Sequence, residues 1–124
     1  MDKPYDIRER AFVFACDIIA FGRIVAERGY LMARLAGQLV AAGGSIGANL
    51  EEAADAQSKA DFIAKNFIAL KESREVRFWL RLISASEESL AERAQPLITE
   101  ASEFIAMLTA GIKRARSNPH RGQR

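Results

Sequence analysis

Apolar residues recur along this chain at alternating intervals of three and four positions, the spacing of one face of an α-helix. The pattern predicts four long helices, at about residues 6–28, 30–56, 58–86 and 96–115. In the first helix the apolar seam comprises Ile7, Ala11, Phe14, Ile18, Phe21 and Val25. In the second it comprises Leu31, Leu35, Leu39, Ala42, Ile46, Leu50 and Ala53. In the fourth it comprises Leu97, Ala101, Phe104, Leu108 and Ile112.

The ends of these helices carry capping signals. Asp6 precedes the first helix and Ser58 the third, and both residue types accept hydrogen bonds from the free N–H groups of a first helical turn. Asp61 completes a capping-box-like start after Ser58. Gly29 stands where a glycine after a helix C-terminus is expected, and Pro96 suits the first turn of the fourth helix. The links are short, so each helix must lie antiparallel to its predecessor.

Three glycines, Gly43, Gly44 and Gly47, lie inside the second helix. Each costs up to about 1 kcal/mol against alanine in a helix interior. The apolar phase continues through them without a slip, which favours a continuous helix that packs closely on a neighbour. A kink at Gly43–Gly44 is the alternative.

The expected fold is all-α, an up-down-up-down antiparallel four-helix bundle over residues 1–116, with a disordered basic tail at 117–124. Residues 113–124 hold five of the 18 Lys and Arg and none of the 16 Asp and Glu. The first 112 residues therefore hold 13 basic and 16 acidic residues, a net charge of −3. The chain has a basic pI of about 8.9, which is due mostly to the tail. The pI alone therefore does not indicate nucleic-acid binding.

The third helix has more apolar surface than a bundle core requires. Beyond its core face lies a second patch, made of Phe67, Ile68, Phe78, Trp79 and Leu82. A helix in a monomeric bundle buries one stripe, so the patch predicts an interface with other copies of the chain. The alternative is that this helix lies centrally and its own chain covers both faces.

Polar residues fall on the core faces of the second and third helices. They are Ser45, Asn49 and Glu52 in the second helix and Asn66, Ser73 and Arg77 in the third. Because buried polar groups need partners, a structural network joining Asn49 and Glu52 to Ser73 or Arg77 is expected to fix the register of the two helices. The alternative role for Glu52 is general base or metal ligand, but no second carboxylate or histidine converges on it.

The chain lacks the residues that common catalytic and metal sites need. His120, the only histidine, lies in the predicted tail, which excludes histidine triads and two-histidine metal sites. Cys16, the only cysteine, is expected to be a small buried thiol rather than a nucleophile. A lone cysteine favours a reducing cytoplasm, and no secretory signal or membrane span is visible. We therefore expect a soluble cytoplasmic protein, with no enzymatic activity, cofactor, metal or small-molecule substrate.

Basic residues form the strongest candidate binding site. They are Lys71, Arg74, Arg77 and Arg81 in the third helix and Lys113, Arg114 and Arg116 at the end of the fourth. Such cations grip phosphates, and the nearby rings of Phe78 and Trp79 are surfaces on which bases stack. The alternative is a salt-bridge lattice, within the bundle or between subunits, with Glu72, Glu75 and the acids of the second helix.

Two segments carry a family signature. Residues 45–52 (SIGANLEE) and 68–82 (IALKESREVRFWLRL) resemble the four-helix-bundle proteins encoded in intervening sequences of bacterial 23S ribosomal RNA genes. The match includes Ser58, Asp61, Phe62 and Lys65 and extends to about Ile112. This resemblance implies an up-down-up-down bundle, assembly into a homopentameric ring and no enzymatic activity. A related branch, the accessory variability protein of diversity-generating retroelements, is a basic pentameric barrel that works with a reverse transcriptase and nucleic acid.

Two functions stay open at this point. The first is a non-catalytic oligomeric scaffold that binds structured RNA, or a protein–RNA complex, through its basic residues. The second is a purely protein-binding assembly with structural salt bridges and no nucleic-acid role. Salt dependence of RNA binding separates them, because counterion release weakens phosphate contacts steeply as salt rises.

Overall fold

The computed structural model describes residues 6–118, and four α-helices account for most of them. The helices are α1 (Ile7–Ala26), α2 (Tyr30–Ala54), α3 (Lys59–Ser86) and α4 (Ala91–Ser117), with a short 3₁₀ helix (Glu88–Leu90) before α4. No strand occurs between residues 6 and 118, so the all-α class and the four helices are confirmed. No helix in the same range is long and apolar enough to cross a membrane. The tail predicted at 117–124 begins inside α4 with Ser117, and its residues 119–124 lie outside the described range.

Two of the helices begin on side-chain caps. The Asp6 carboxylate accepts a hydrogen bond from the Arg8 N–H at 2.9 Å, and the Ser58 hydroxyl accepts one from the Asp61 N–H at 3.0 Å. Gly29 does not sit at the end of α1, as its position predicted, but immediately precedes α2 with a φ of +123°. A side chain is strained at that φ, so glycine is the residue that permits this tight turn.

Successive helices pack against one another, and α4 returns to lie beside α1. The links at 27–29 and 55–58 are too short to cross the bundle, so neighbouring helices run antiparallel. The order around the bundle is α1, α2, α3, α4, which places α1 and α3 on opposite corners. The backbones of α1 and α4 approach each other at fewer positions than those of the other neighbouring pairs.

Arg10 joins α1 to α4 at the interface between these two helices. Its guanidinium donates to both carboxylate oxygens of Glu100, at 2.8 and 2.9 Å, and also to Glu103. The same group lies 5.6 Å from the ring centroid of Phe104, which stacks on Phe14. The hydrogen bond to Glu100 raises the pKa of Arg10 above its already high ordinary value, so this cation stays charged.

The predicted apolar seams form one core. Its largest fully buried side chains are Phe14, Phe104, Ile18, Leu39, Ile46, Leu80, Ile83, Leu90, Val25 and Val76. Leu31 was expected in the seam of the second helix but is 73% exposed. It lies in the first turn of α2, at the end of the bundle, where the core has already stopped.

Helix α4 begins five residues before Pro96, the residue predicted to start it. Pro96 has no N–H to donate to the carbonyl of Glu92, but both residues are exposed, so water can bind that carbonyl. The turn before Pro96 persists because Leu90 and Ala94 are buried in the core. Burial of these two side chains outweighs the lost hydrogen bond.

Helix α2 runs through its glycines without interruption, as the unbroken apolar phase predicted. A Cβ atom added to Gly43 would lie 2.9 Å from Ile18 Cγ2, and one added to Gly47 would lie 3.5 Å from Ala11 Cβ. A Cβ at Gly44 would meet nothing within 4 Å. Close packing of α1 on α2 therefore explains Gly43, whereas a Cβ at Gly47 would make an ordinary van der Waals contact and one at Gly44 would make none.

The variant Gly43→Ala is expected to be about 2 kcal/mol less stable than Gly44→Ala, although each adds one methyl group. At Gly44 the methyl reaches open space and improves helix propensity by up to about 1 kcal/mol. At Gly43 it must displace Ile18, which is fully buried, and overpacking of this kind costs about 1–3 kcal/mol. Urea unfolding followed by circular dichroism measures both; equal stabilities would contradict close packing at Gly43.

Candidate nucleic-acid interface

The structure gathers five of the seven predicted cations along the side of the bundle where α3 faces α4. The five are Arg74, Arg77, Arg81, Lys113 and Arg116. Lys71 lies on the exposed outer surface of α3, and Arg114 lines a small cavity with Ile7 of α1. The antiparallel run of the two helices brings the first half of α3 beside the end of α4, which joins two basic segments that are distant in sequence.

Three of these cations surround an open cavity of about 610 Å³, here called the Phe67 groove. The groove is lined by Phe67, Leu70, Arg74, Thr109, Ile112, Lys113, Arg116 and Ser117. None of these residues is acidic. Leu70 and Ile112 form its buried apolar floor, whereas Phe67 is 38% exposed and has the Arg116 guanidinium 5.8 Å from its ring centroid.

A second open cavity, the Phe78 groove, lies further along the same two helices. Its volume is about 540 Å³, and it is lined by Phe78, Arg81, Leu82, Ser84, Ala85, Ala91, Gln95 and Ile98. Between the two grooves, Arg77 donates a hydrogen bond to the Ser102 hydroxyl at 3.2 Å and crosses from α3 to α4. Arg81 is the only cation of the Phe78 groove, so positive charge is concentrated at the Phe67 groove.

The intrabundle form of the expected alternative, a salt-bridge lattice around these cations within one chain, is not seen in residues 6–118. The ion pairs of this range use Arg8, Arg10, Arg28 and Lys65 instead. Glu75, one of the acids proposed for the lattice, accepts a hydrogen bond from the Trp79 indole at 3.2 Å. The cations of the α3–α4 side therefore form no ion pair with a carboxylate of the same chain within residues 6–118.

The predicted apolar patch on α3 divides into two parts. Phe67, Ile68 and Phe78 are 38%, 40% and 54% exposed, and Leu82 is half-buried. Trp79 is partly buried: it packs against the core of its own bundle and meets Phe78 edge to face, with centroids 5.3 Å apart. Trp79 follows Phe78 by one residue and so lies about 100° further around the helix, where it is partly buried.

Helix α1 carries a second apolar surface that its apolar seam did not predict. Phe12, Val13 and Ile19 are 62%, 42% and 41% exposed. Cys16, expected to be buried, is exposed among them because it lies on the side of α1 opposite the seam. The spacing of Phe12, Cys16 and Ile19 was a readable signal, since intervals of four and three define one helix face.

The predicted polar network between α2 and α3 does not form within the described chain. Ser45, Asn49 and Ser73 each donate to the backbone carbonyl four residues earlier in their own helix, at 3.0, 2.8 and 2.8 Å. Local acceptors satisfy these side chains, so no partner across the interface is needed. Glu52 is exposed and accepts a hydrogen bond from Lys65 of α3 at 2.7 Å, which raises the pKa of that lysine. Register between α2 and α3 is thus supported at the surface.

The fold and this side of the molecule define an all-helical bundle protein with an open basic groove. No group of three or more His, Cys, Asp or Glu side chains within residues 6–118 is placed to hold a metal ion. A family model for 23S rRNA-intervening sequence proteins matches residues 3–110. The chain belongs to that family, which confirms the resemblance carried by residues 45–52 and 68–82.

A solved structure supports the same assignment. The chain is 32% identical to a Bacteroides thetaiotaomicron protein of unknown function from the S23 ribosomal protein family, whose crystal structure was determined at 1.70 Å. The two structures superpose with a TM-score of 0.79 over 87% of this chain and 99% of that one. No curated protein matches the chain. Neither the family description nor that of this neighbour specifies a catalytic activity.

Proposed function

We propose that this protein is a non-catalytic, oligomeric scaffold that binds structured RNA, or a protein–RNA complex, through the basic residues between α3 and α4. The observation that carries the proposal is the set of five cations on that side with no carboxylate at ion-pair distance in residues 6–118. Mutual repulsion among such cations is relieved when phosphates approach, and release of counterions adds to the affinity.

The oligomeric part of the proposal rests on exposed apolar surface. Phe12, Val13 and Ile19 project from α1, and Ile68 and Phe78 project from α3, on opposite corners of the bundle. Two different faces on opposite sides favour head-to-tail contacts, which close into a ring when the rotation per subunit permits. The family resemblance implies five copies. Repetition of the Phe67 groove around a ring would turn weak contacts with one RNA into avid binding. The lone cysteine is consistent with a cytoplasmic location.

A purely protein-binding assembly is the second candidate. The exposed rings of Phe67 and Phe78 favour it, because aromatic side chains bordered by arginine are also typical of protein interfaces. In that case the oligomer forms, but RNA is not retained at low salt.

The decisive experiment compares two double variants in RNA binding by fluorescence anisotropy, using a labelled stem-loop at several salt concentrations. Arg74→Gln with Lys113→Gln removes two groove cations; Arg23→Gln with Arg93→Gln removes two exposed cations from elsewhere. We expect the groove variant to bind about 30-fold more weakly at about 0.1 M salt, with a salt slope shallower by about 1.5. The control should stay close to wild type. Equal losses in both variants, or no binding by wild type at low salt, would reject the proposal.

A further inference from the structure

The Phe67 groove combines features that a paired RNA helix does not use. Phosphates of a duplex lie on its outer surface, and exposed lysine and arginine side chains are sufficient to contact them. The Phe67 groove also has an apolar floor, with Leu70 and Ile112 only 4% and 5% exposed, and an aromatic wall. An occupant that covers this floor must carry an apolar flat part as well as negative charge.

We infer that the Phe67 groove is a subsite for one unpaired nucleotide of the RNA, an inference that rests on the proposed function. The base lies on the floor against Phe67, and the flanking phosphates contact Arg74 and Lys113. The cavity, about 610 Å³, is within the size range of small-ligand sites. Its rim carries three cations and no acid, which complements the phosphates on either side of an extruded base.

The Phe67–Arg116 pair supports a stacked base in particular. The guanidinium lies over one face of the ring, 5.8 Å from its centroid, so a base stacks on the remaining ring surface or on the guanidinium itself. Unpaired RNA bases are commonly recognised by stacking on aromatic rings and on arginine planes. Phe67 remains 38% exposed in this arrangement, which leaves ring surface for a base.

The charge distribution favours a compact anionic occupant over an acidic partner helix. A helix lying along α3 and α4 would cover both grooves, whose aromatic residues, Phe67 and Phe78, are 11 positions and therefore about 16 Å apart. The Phe78 groove has one cation, Arg81, whereas the Phe67 groove has three. Arg77, bonded to Ser102, divides the two apolar floors. Positive charge confined to one end fits a nucleotide better than a long helix.

The test uses two RNAs, a blunt duplex and the same duplex with one bulged nucleotide replaced by 2-aminopurine. Phe67→Leu keeps an apolar side chain but removes the ring, and Tyr30→Leu makes a comparable change at a 72% exposed site in the first turn of α2, away from the groove. We expect Phe67→Leu to bind the bulged RNA about tenfold more weakly and the duplex unchanged. The change in 2-aminopurine fluorescence on binding should also disappear. Tyr30→Leu should match wild type with both RNAs.

The outcomes separate the two proposals. If wild type binds both RNAs and Phe67→Leu weakens neither, or weakens both equally, the nucleotide subsite is wrong while RNA binding stands. If wild type binds neither RNA at low salt, the proposed function fails and the subsite with it. Unchanged helicity of Phe67→Leu by circular dichroism ensures that a loss of binding is not a loss of fold.

Discussion

Replacing Arg10 by alanine is expected to lower the free energy of unfolding by about 3 kcal/mol, a large effect for one polar residue. The side chains of Arg10 and Glu100 are only 13% and 15% exposed. Removal of the guanidinium takes two charge-assisted hydrogen bonds from the largely buried Glu100 carboxylate and also removes the cation from the face of Phe104. The loss falls on the α1–α4 seam, where backbone contacts are fewest. Urea unfolding of the full chain measures it.

Arg8 supplies the matched control, because it is also an ion-paired arginine in the first turns of α1. The side chains of Arg8 and Asp6 are 42% and 52% exposed. An exposed pair contributes roughly 0–1 kcal/mol, so Arg8→Ala should change stability little. The double variant Arg10→Met with Glu100→Leu should recover much of the loss, because it replaces both charged groups of the pair with apolar side chains of similar size. An Arg10→Ala variant no less stable than Arg8→Ala would contradict this account of the seam.

The helices and their buried faces could be predicted from the sequence, because the buried face of a helix requires apolar residues at intervals of three and four positions. Seam residues such as Phe14, Ile18 and Phe104 are buried where the spacing predicted. The same periodicity does not predict where the buried part of a helix ends. Leu31 fits the apolar spacing but lies beyond the end of the core and is exposed. The start of the fourth helix was predicted wrongly for a related reason. Proline prefers the first turn of a helix, but burial of Leu90 and Ala94 stabilises an additional helical turn before Pro96.

The helix face on which a polar residue lies also does not predict which acceptor its side chain bonds. Ser73 lies in the core, as its position predicted, yet its hydroxyl bonds the carbonyl of Ala69 rather than a residue of α2. A short side chain such as serine reaches a carbonyl of its own helix as easily as an acceptor on a neighbouring helix, and only the three-dimensional structure shows which acceptor it bonds. The predicted network failed on this point.

The sequence predicted the basic residues of the candidate site but not which of them lie together. Arg74 and Lys113 were both candidates, but their meeting depends on the register between α3 and α4. That register depends in turn on where α4 begins, which the position of Pro96 misplaced by five residues. Phe67 was assigned to an interface between copies, and its contact with Arg116 became apparent only once the two helices were aligned.

The second large effect concerns assembly, and we expect Phe78→Glu to raise the dissociation constant between copies at least about 100-fold. Phe78 is 54% exposed in the isolated chain, so glutamate there does not disturb the core. In an apolar interface the same carboxylate loses its hydration, and the apolar contacts of the Phe78 ring are lost with it. Tyr30→Glu, at a 72% exposed aromatic residue, is the control and should leave the oligomer intact. Light scattering at micromolar concentrations measures the mass of each variant.

The arrangement of faces can be tested by mixing variants. If contacts run from α1 of one copy to α3 of the next, Phe12→Glu should dissociate the oligomer as Phe78→Glu does, because each variant lacks one of the two faces. An equimolar mixture then retains a single intact junction, between the α3 face of the Phe12→Glu chain and the α1 face of the Phe78→Glu chain. Such a mixture must form dimers and nothing larger. An interface made by two α3 faces predicts no rescue and no effect of Phe12→Glu, and a wild-type protein that stays monomeric would contradict either arrangement.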